Sequence, residues 1–375
     1  MRFRSRLLVD LNILTENYQK LKKICPNNEV LFMVKADAYG HGILPIVRHA
    51  VTELGIKEFG CATLGEAIHL RDELFDLEFE IYVFSDVQLG LQEKSEIYLN
   101  RRIIPILSNM DDLKFILDNS DFKNFPLSVK FNTGMNRLGI DYDRVDEVIS
   151  LIKSKGRKSI YHLLTHFSSS SLSMKTNKRN IEQKARFKAI KEAFIEAGIE
   201  LERTSIANSG AIEQGHGLEE THIRPGLMMY GPSSLIKPIR EQSLWDGRVI
   251  SSLETYVLKV FPVKKGQPVG YGATPVPYEG LCAIIALGYG DGFSTRYVGA
   301  TLTHNGHLGK VVGRVNMDMA QVLFKNEAAN NLKVDDRFIV WRNDPSDILR
   351  LSDETATIPY EIFLHLTNRV PKVYV

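Results

Sequence analysis

The stretch "VLFMVKADAYGHG" (residues 30–42) places five apolar residues ahead of a lysine, Lys35, and follows it with a tyrosine, two glycines and a histidine. Lysine is among the residues least often buried. A run that reads as an interior strand and ends on a lysine therefore points to something for that lysine to meet.

Working outward, short apolar runs recur with amphipathic stretches between them. They are 30–35, "EFGCAT" (58–63), "FEIYVF" (79–84), "RIIPIL" (102–107), "LSVKFN" (127–132), "IYHLLTHF" (160–167), "RTSIAN" (203–208) and "THIRPG" (221–226). The intervening stretches have helical spacing, as in 180–198, which closes on Gly198 as helices often do. Eight strands alternating with helices predict a parallel (β/α)8 barrel of TIM type, with an open doubly wound sheet as the competing arrangement. Beyond residue 235 the texture changes to alternating apolar and polar residues punctuated by Gly and Pro, which predicts a mostly β second domain. The expected division is 1–235 and 236–375, with 233–248 as the linker.

The bulk properties exclude several classes. A chain of 375 residues exceeds what one core usually holds. Its 47 Lys+Arg nearly balance 45 Asp+Glu, which argues against nucleic-acid binding driven by bulk charge. Three cysteines (Cys25, Cys61, Cys282) stand far apart without CxxC spacing, so neither a disulfide framework nor a metal cluster is expected. The start, "MRFRSRLLVDLNILTENYQ", has no long apolar run, so no signal peptide is expected. The longest apolar run, near 281–287, is too short to span a bilayer. A cytoplasmic location follows as the expectation.

A barrel carries its chemistry at the C-terminal ends of its strands. The polar residues expected there are Lys35, Lys130, Arg137, His166, Asn208, Ser209 and Arg224, with Pro225 and Gly226 after the last strand. Taken singly, each has a bland reading as a solvated or structurally bonded side chain. Together they converge on one barrel mouth. The loops after strands seven and eight, the usual phosphate site of this fold, carry "NSG" and "RPG", which offer a hydroxyl and backbone N–H groups to an anion. A lysine facing that site among apolar residues would lose basicity and become nucleophilic. A phosphate-bearing aldehyde that forms a Schiff base with it is pyridoxal 5'-phosphate.

At these residues the chain resembles the alanine racemases, nearly end to end. "VKADAYGHG", "KFNTGMNRLG", "THF", "ANSGA", "IRPGLMMYG", "VGYGAT", "GYGDGF", "GRVNMDM" and "IPYEI" match that family's motifs in order. The resemblance implies a pyridoxal-phosphate enzyme that interconverts L- and D-alanine with two bases, supplying D-alanine for peptidoglycan. It implies that Lys35 holds the cofactor and acts as one base, and that Tyr271 is the other. It places Tyr39, Ser209, Tyr360 and the backbone of Gly226 and Leu227 at the phosphate, with Asn208 beside them. His166 lies against the pyridine ring and reaches Arg224, which faces the ring nitrogen. Arg137 and the backbone of Met317 meet the substrate carboxylate, and Lys130 matches a position that is often carbamylated. Tyr271, Tyr289, Met317 and Asp318 are implied to come from a partner subunit in a homodimer with shared active sites. No metal is implied.

Two departures stand out. Asn316 ("VNMD") replaces a frequent cysteine, and "SSSSLSM" (168–174) lacks the acid that often follows "THF". A racemase of serine or of broader range therefore remains an alternative. So do a related pyridoxal-phosphate decarboxylase, which would be expected to show a carboxylate in place of Arg224, and a non-catalytic cofactor carrier.

Overall fold

The computed structural model describes residues 3–90, 92–325 and 331–375. Residues 1 and 2, the start of the N-terminal stretch read above, lie outside that range.

Eight parallel strands close on themselves. They are β2 (Glu29–Met33), β3 (Glu58–Thr63), β4 (Glu80–Asp86), β5 (Ile103–Leu107), β6 (Ser128–Asn132), β7 (His162–Leu164), β8 (Thr204–Asn208) and β9 (His222–Arg224). Their order runs β5-β4-β3-β2-β9-β8-β7-β6, and β5 pairs with β6 through Ile106 and Ser128 to complete the ring. The barrel is closed, and the open-sheet alternative is excluded.

Side chains alternate across each strand. Phe32, Phe59, Ile81, Val83 and Leu163 belong to the main core with the surrounding helices. Leu31, Tyr82, Ile104, Ile106 and Leu164 form a separate small cluster, the apolar part of the barrel interior. The rest of that interior is polar: Ser128, Lys130, His162, Ser205, His222 and Arg224 are all buried. The polar part of the interior is what positions the site.

The first strand, β1 (Ser5–Val9), is not part of the barrel. It pairs antiparallel with β10 (Ser251–Val263) and parallel with the C-terminal strand (Lys372–Tyr374) in the second domain's sheet. Its alternate residues Ser5, Leu7 and Val9 are buried there. The chain thus begins in the sheet of its C-terminal half before entering the barrel. That sheet also holds Gly280–Ile285, Thr301–His304, His307–Val312, Ala320–Phe324 and Arg337–Trp341.

The stretch 233–248 is pinned to the barrel. The half-buried carboxylate of Glu213 accepts from Ser233 Oγ at 2.6 Å, Ser234 N at 2.9 Å and Ser243 Oγ at 3.3 Å. No helix among the described residues is long and apolar enough to cross a membrane.

Candidate active site

Immediately after β2 the backbone turns the wrong way. Ala36, Asp37, Ala38 and Tyr39 have φ of 53°, 54°, 52° and 55°, a left-handed turn built without glycine. Each such residue costs about 1–2 kcal/mol, and strain of this kind persists only where the surroundings over-determine it. Here they do. Glu66 Oε1 accepts Ala36 N at 2.6 Å, Asp37 Oδ1 accepts Ile43 N at 2.8 Å, and Lys372 Nζ lies 2.9 Å from Asp37 Oδ2. A side chain at Gly40 would strike the carbonyl oxygen of Phe363 at 2.6 Å. The turn aims Lys35 into a cavity of about 390 Å³ at the C-terminal barrel mouth.

Lys35, Tyr39, Lys130, Arg137, His166, Asn208, Ser209, Arg224, Gly226, Leu227 and Tyr360 all line that cavity. Eleven residues expected from separate motifs therefore meet in one place. Four of them are cationic, and no Asp or Glu lines the cavity among the described residues. Burial and the Arg137 charge lower the pKa of Lys35. Lys130 is pulled down to about 8 by burial, then by Arg224, Arg137 and Lys35. Burial and the same cations hold His166 well below its usual value, so it is neutral. A cavity with this field favours an anion.

One end is built for such a group. Ser209 Oγ accepts Gly226 N at 2.9 Å and Met228 N at 3.4 Å. Asn208 caps the short turn that carries Ser209, accepting Ala211 N at 3.3 Å. Tyr39 and Tyr360 approach with ring centroids 5.7 Å apart, and Tyr230 stacks on Tyr39 at 4.7 Å. A Cβ at Gly226 would lie 2.3 Å from Tyr39 Oη, so only glycine leaves this cradle open.

The deep wall is Arg224. It donates from Nη2 to Thr165 O at 2.5 Å and from Nη1 to Ser205 Oγ, and Nη2 lies 3.4 Å from His166 Nδ1. Burial pulls its pKa down to about 9, which leaves it charged at neutral pH. Asn208 Nδ2 is 3.2 Å from His166 Nε2.

Tyr271, Tyr289, Asn316, Met317 and Asp318 do not line this cavity. Tyr271, Met317 and Tyr289 are 71%, 52% and 46% exposed on the β domain. Tyr289 N and Gly290 N donate to Asn316 O and Met317 O at 2.9 Å each, so the "GYGDGF" and "VNMD" motifs form one surface. Arg369 ties Asp318 to Asp291 beside it.

Sequence reasoning missed Glu66. Its signal was present as a capping box, "TLGE" (63–66), in which Thr63 Oγ1 accepts Glu66 N at 3.2 Å and Glu66 Oε2 accepts Thr63 N at 3.2 Å. Phe84, Ser85, Met135, Leu138, Ile236 and Ile358 also line the cavity without having been singled out. From the serine run, Ser168, Ser170 and Ser171 reach it. A larger hollow of about 1470 Å³ lies at the opposite barrel mouth. Its central charges pair with one another, Arg203 with Glu58 and Glu80, and it holds none of the expected residues.

The family model described as "Alanine racemase, N-terminal domain" matches residues 9–234, and "Alanine racemase, C-terminal domain" matches 250–374. Among curated relatives, the alanine racemase of Clostridium tetani is 29% identical over 380 residues, 98% of this chain and 94% of that protein. That of Clostridium kluyveri is 28% identical over 381 residues, covering 98% and 93%. The solved alanine racemase of Acinetobacter baumannii superposes with a TM-score of 0.87 at 25% identity, covering 100% of each chain. The enzyme from Streptomyces lavendulae gives 0.84 at 23% identity, covering 100% and 98%, a likeness of fold.

Proposed function

This chain belongs to the alanine racemase family, and on that premise we propose that it interconverts L- and D-alanine with pyridoxal 5'-phosphate held in the Lys35 cavity. The observation that carries this reading is one of placement. A lysine of lowered basicity, an anion cradle and a buried arginine share one cavity of about 390 Å³. The donor set fits the cofactor. Lys35 would hold its aldehyde carbon covalently. Ser209, Tyr39, Tyr360 and the backbone at Gly226 and Leu227 would hold the phosphate, His166 would lie against the ring, and Arg224 would face the ring nitrogen. Lys130, between the cations, would take up carbon dioxide as a carbamate with loss of a proton and then face Arg137 as an anion.

When bound, the cofactor supplies an electron sink that weakens the Cα–H bond of an amino acid. The chain's own residues do the rest. Arg137 holds the substrate carboxylate at the mouth, with the Met317 backbone near the same group. Lys35 Nζ, made less basic by burial and the Arg137 charge, takes or returns the Cα proton on one face. Tyr271 Oη does so on the other, and Arg224, which offers donors only, would leave the ring nitrogen of a bound cofactor without a proton. With that nitrogen unprotonated the cofactor would be a weaker electron sink, which would favour racemisation over side reactions. A decarboxylase reading would call for a carboxylate where Arg224 stands.

Tyr271, Tyr289 and Met317 are exposed and do not line this cavity, and Asn316 and Asp318 flank Met317. We therefore propose a homodimer in which each copy's β domain completes the other's site. The proposed division keeps residues 1–235 with the barrel and 236–375 with the β domain, apart from the first strand. A cytoplasmic role in making D-alanine for peptidoglycan goes with this activity.

The test is direct. L-alanine incubated with the purified protein in deuterated water should lose optical rotation and its Cα proton signal together. Borohydride reduction followed by peptide mapping should place a pyridoxyl group on Lys35. A label on any other lysine would sink the assignment.

A further inference from the structure

Behind Arg224, on the side away from the cavity, the barrel interior holds two residues that the proposed chemistry leaves unused. Ser205 Oγ accepts from Arg224 Nη1 and lies 2.7 Å from His162 Nε2. Ser205 and His162 are both fully buried. His162 packs between Tyr82 and His222, with ring centroids 5.7 and 5.4 Å away. Its second nitrogen, Nδ1, is buried with no hydrogen-bond partner.

The protons can be counted. A guanidinium only donates, so Ser205 Oγ spends a lone pair on Arg224. The hydroxyl proton must then go elsewhere, and His162 Nε2 is the acceptor within reach. An accepting Nε2 puts the ring proton on Nδ1, the atom without a partner. The histidine is neutral, because burial and the charges of His222, Arg224 and Arg203 all oppose protonation. An unpaired buried N–H is a cost to the fold. A phenylalanine would fill the same space without it.

We propose that Ser205 and His162 are a neutral positioning pair for Arg224, with the imidazole fixing the hydroxyl so that its lone pair meets the guanidinium. A carboxylate in that place would hold Arg224 equally well and cancel its charge. A hydroxyl holds it and leaves the full charge facing the ring nitrogen. Its other partners, the carbonyls of Thr165 and Ile206 and the His166 ring, are likewise neutral. This inference rests on the cofactor reading above.

The experiment titrates cofactor-free protein with pyridoxal phosphate, following the visible absorbance, in wild type, Ser205→Ala, His162→Phe and the double variant. Ser205→Ala should bind about ten- to a hundredfold more weakly, the usual effect of losing a hydrogen bond to a charged group. Its bound absorption maximum should move, because the charge at the ring nitrogen has moved. His162→Phe should show a smaller change of the same kind with no fall in thermal midpoint, since a purely structural role would lower that midpoint. The double variant should bind no more weakly than Ser205→Ala, because the imidazole acts only through the hydroxyl. Unchanged affinity and spectrum in Ser205→Ala, or losses that add in the double variant, overturn the proposal. Ser205→Cys, nearly isosteric and a weaker acceptor, decides the matter if the alanine variant does not fold. It should lie between wild type and complete loss, and wild-type binding by it overturns the proposal. Wild type that binds no pyridoxal phosphate would instead refute the cofactor reading itself.

Discussion

Glu66 reaches out of its own helix to accept the backbone N–H of Ala36 at 2.6 Å, one residue beyond Lys35. Its other carboxylate oxygen accepts Ala62 N at 2.8 Å and Thr63 N at 3.2 Å. One side chain therefore joins the end of β3 to the strained turn that aims the lysine.

Glu66→Ala should release that turn. Losing hydrogen bonds to a charged acceptor costs about 1.5–3 kcal/mol, and four left-handed residues have reason to relax once it is gone. Chemical denaturation should show the loss of stability, and borohydride labelling of Lys35 should fall. Glu66→Gln keeps one acceptor oxygen and should retain part of both. A Glu66→Ala variant with wild-type stability and labelling would mean that Asp37 and Lys372 hold the turn unaided.

Gly226→Ala tests the anion cradle. The added methyl meets Tyr39 Oη, and Tyr39 is fixed by its stack on Tyr230. Overpacking of this kind costs about 1–3 kcal/mol. The expected result is a folded protein with at least about tenfold weaker affinity for pyridoxal phosphate, tenfold being 1.4 kcal/mol. Unweakened binding would move the phosphate away from Gly226.

Much of this was legible in the sequence. The barrel followed from eight apolar runs, because interior strands bury both faces and announce themselves as such. The convergence of Lys35, Arg137, His166, Ser209 and Arg224 followed from their places at strand ends, since a closed barrel gathers those ends at one mouth. The placement of β1 did not follow, because a five-residue strand reads the same in either sheet. The reach of Glu66 did not follow either. A capping box signals a local helix start, whereas a bond to a residue 30 positions away depends on how β2 and β3 align. Ser205 and His162 were invisible as a pair because β7 and β8 become neighbours only on folding.

Acid should destabilise the cofactor-free protein through its buried histidines. His41 is pulled down to about 4 by burial, and His162 and His166 lie well below the ordinary 6.5. Below pH 6.5 the unfolded chain binds protons that the folded chain refuses, so stability rises with pH there and falls on acidification. For His41 that loss accumulates from about 6.5 down to about 4. Each such histidine contributes up to about 1.4 kcal/mol per pH unit in its window. Denaturation midpoints measured from pH 7 to 5 should fall, and His162→Phe should fall less steeply by up to about one proton. Equal slopes in the two proteins would show that His162 is protonated in the fold.

The proposed dimer makes the most demanding prediction. Lys35 lines the barrel cavity, whereas Tyr271 is exposed on the β domain and absent from that lining. Lys35→Ala should be inactive. Tyr271→Phe should be strongly impaired, since losing a general base typically costs about 10²–10⁴-fold. When the two variants carry different tags and are refolded together, tandem purification isolates the mixed dimer. If each site takes its lysine from one copy and its tyrosine from the other, one site of the mixed dimer carries both lesions and the other carries neither. The symmetric interface then returns about half of the wild-type activity. If both residues came from one copy, every site would keep a lesion, and the mixed dimer would show only the average of its two parents. That average lies far below half, so the two arrangements are separated by a wide margin whichever impairment Tyr271→Phe brings.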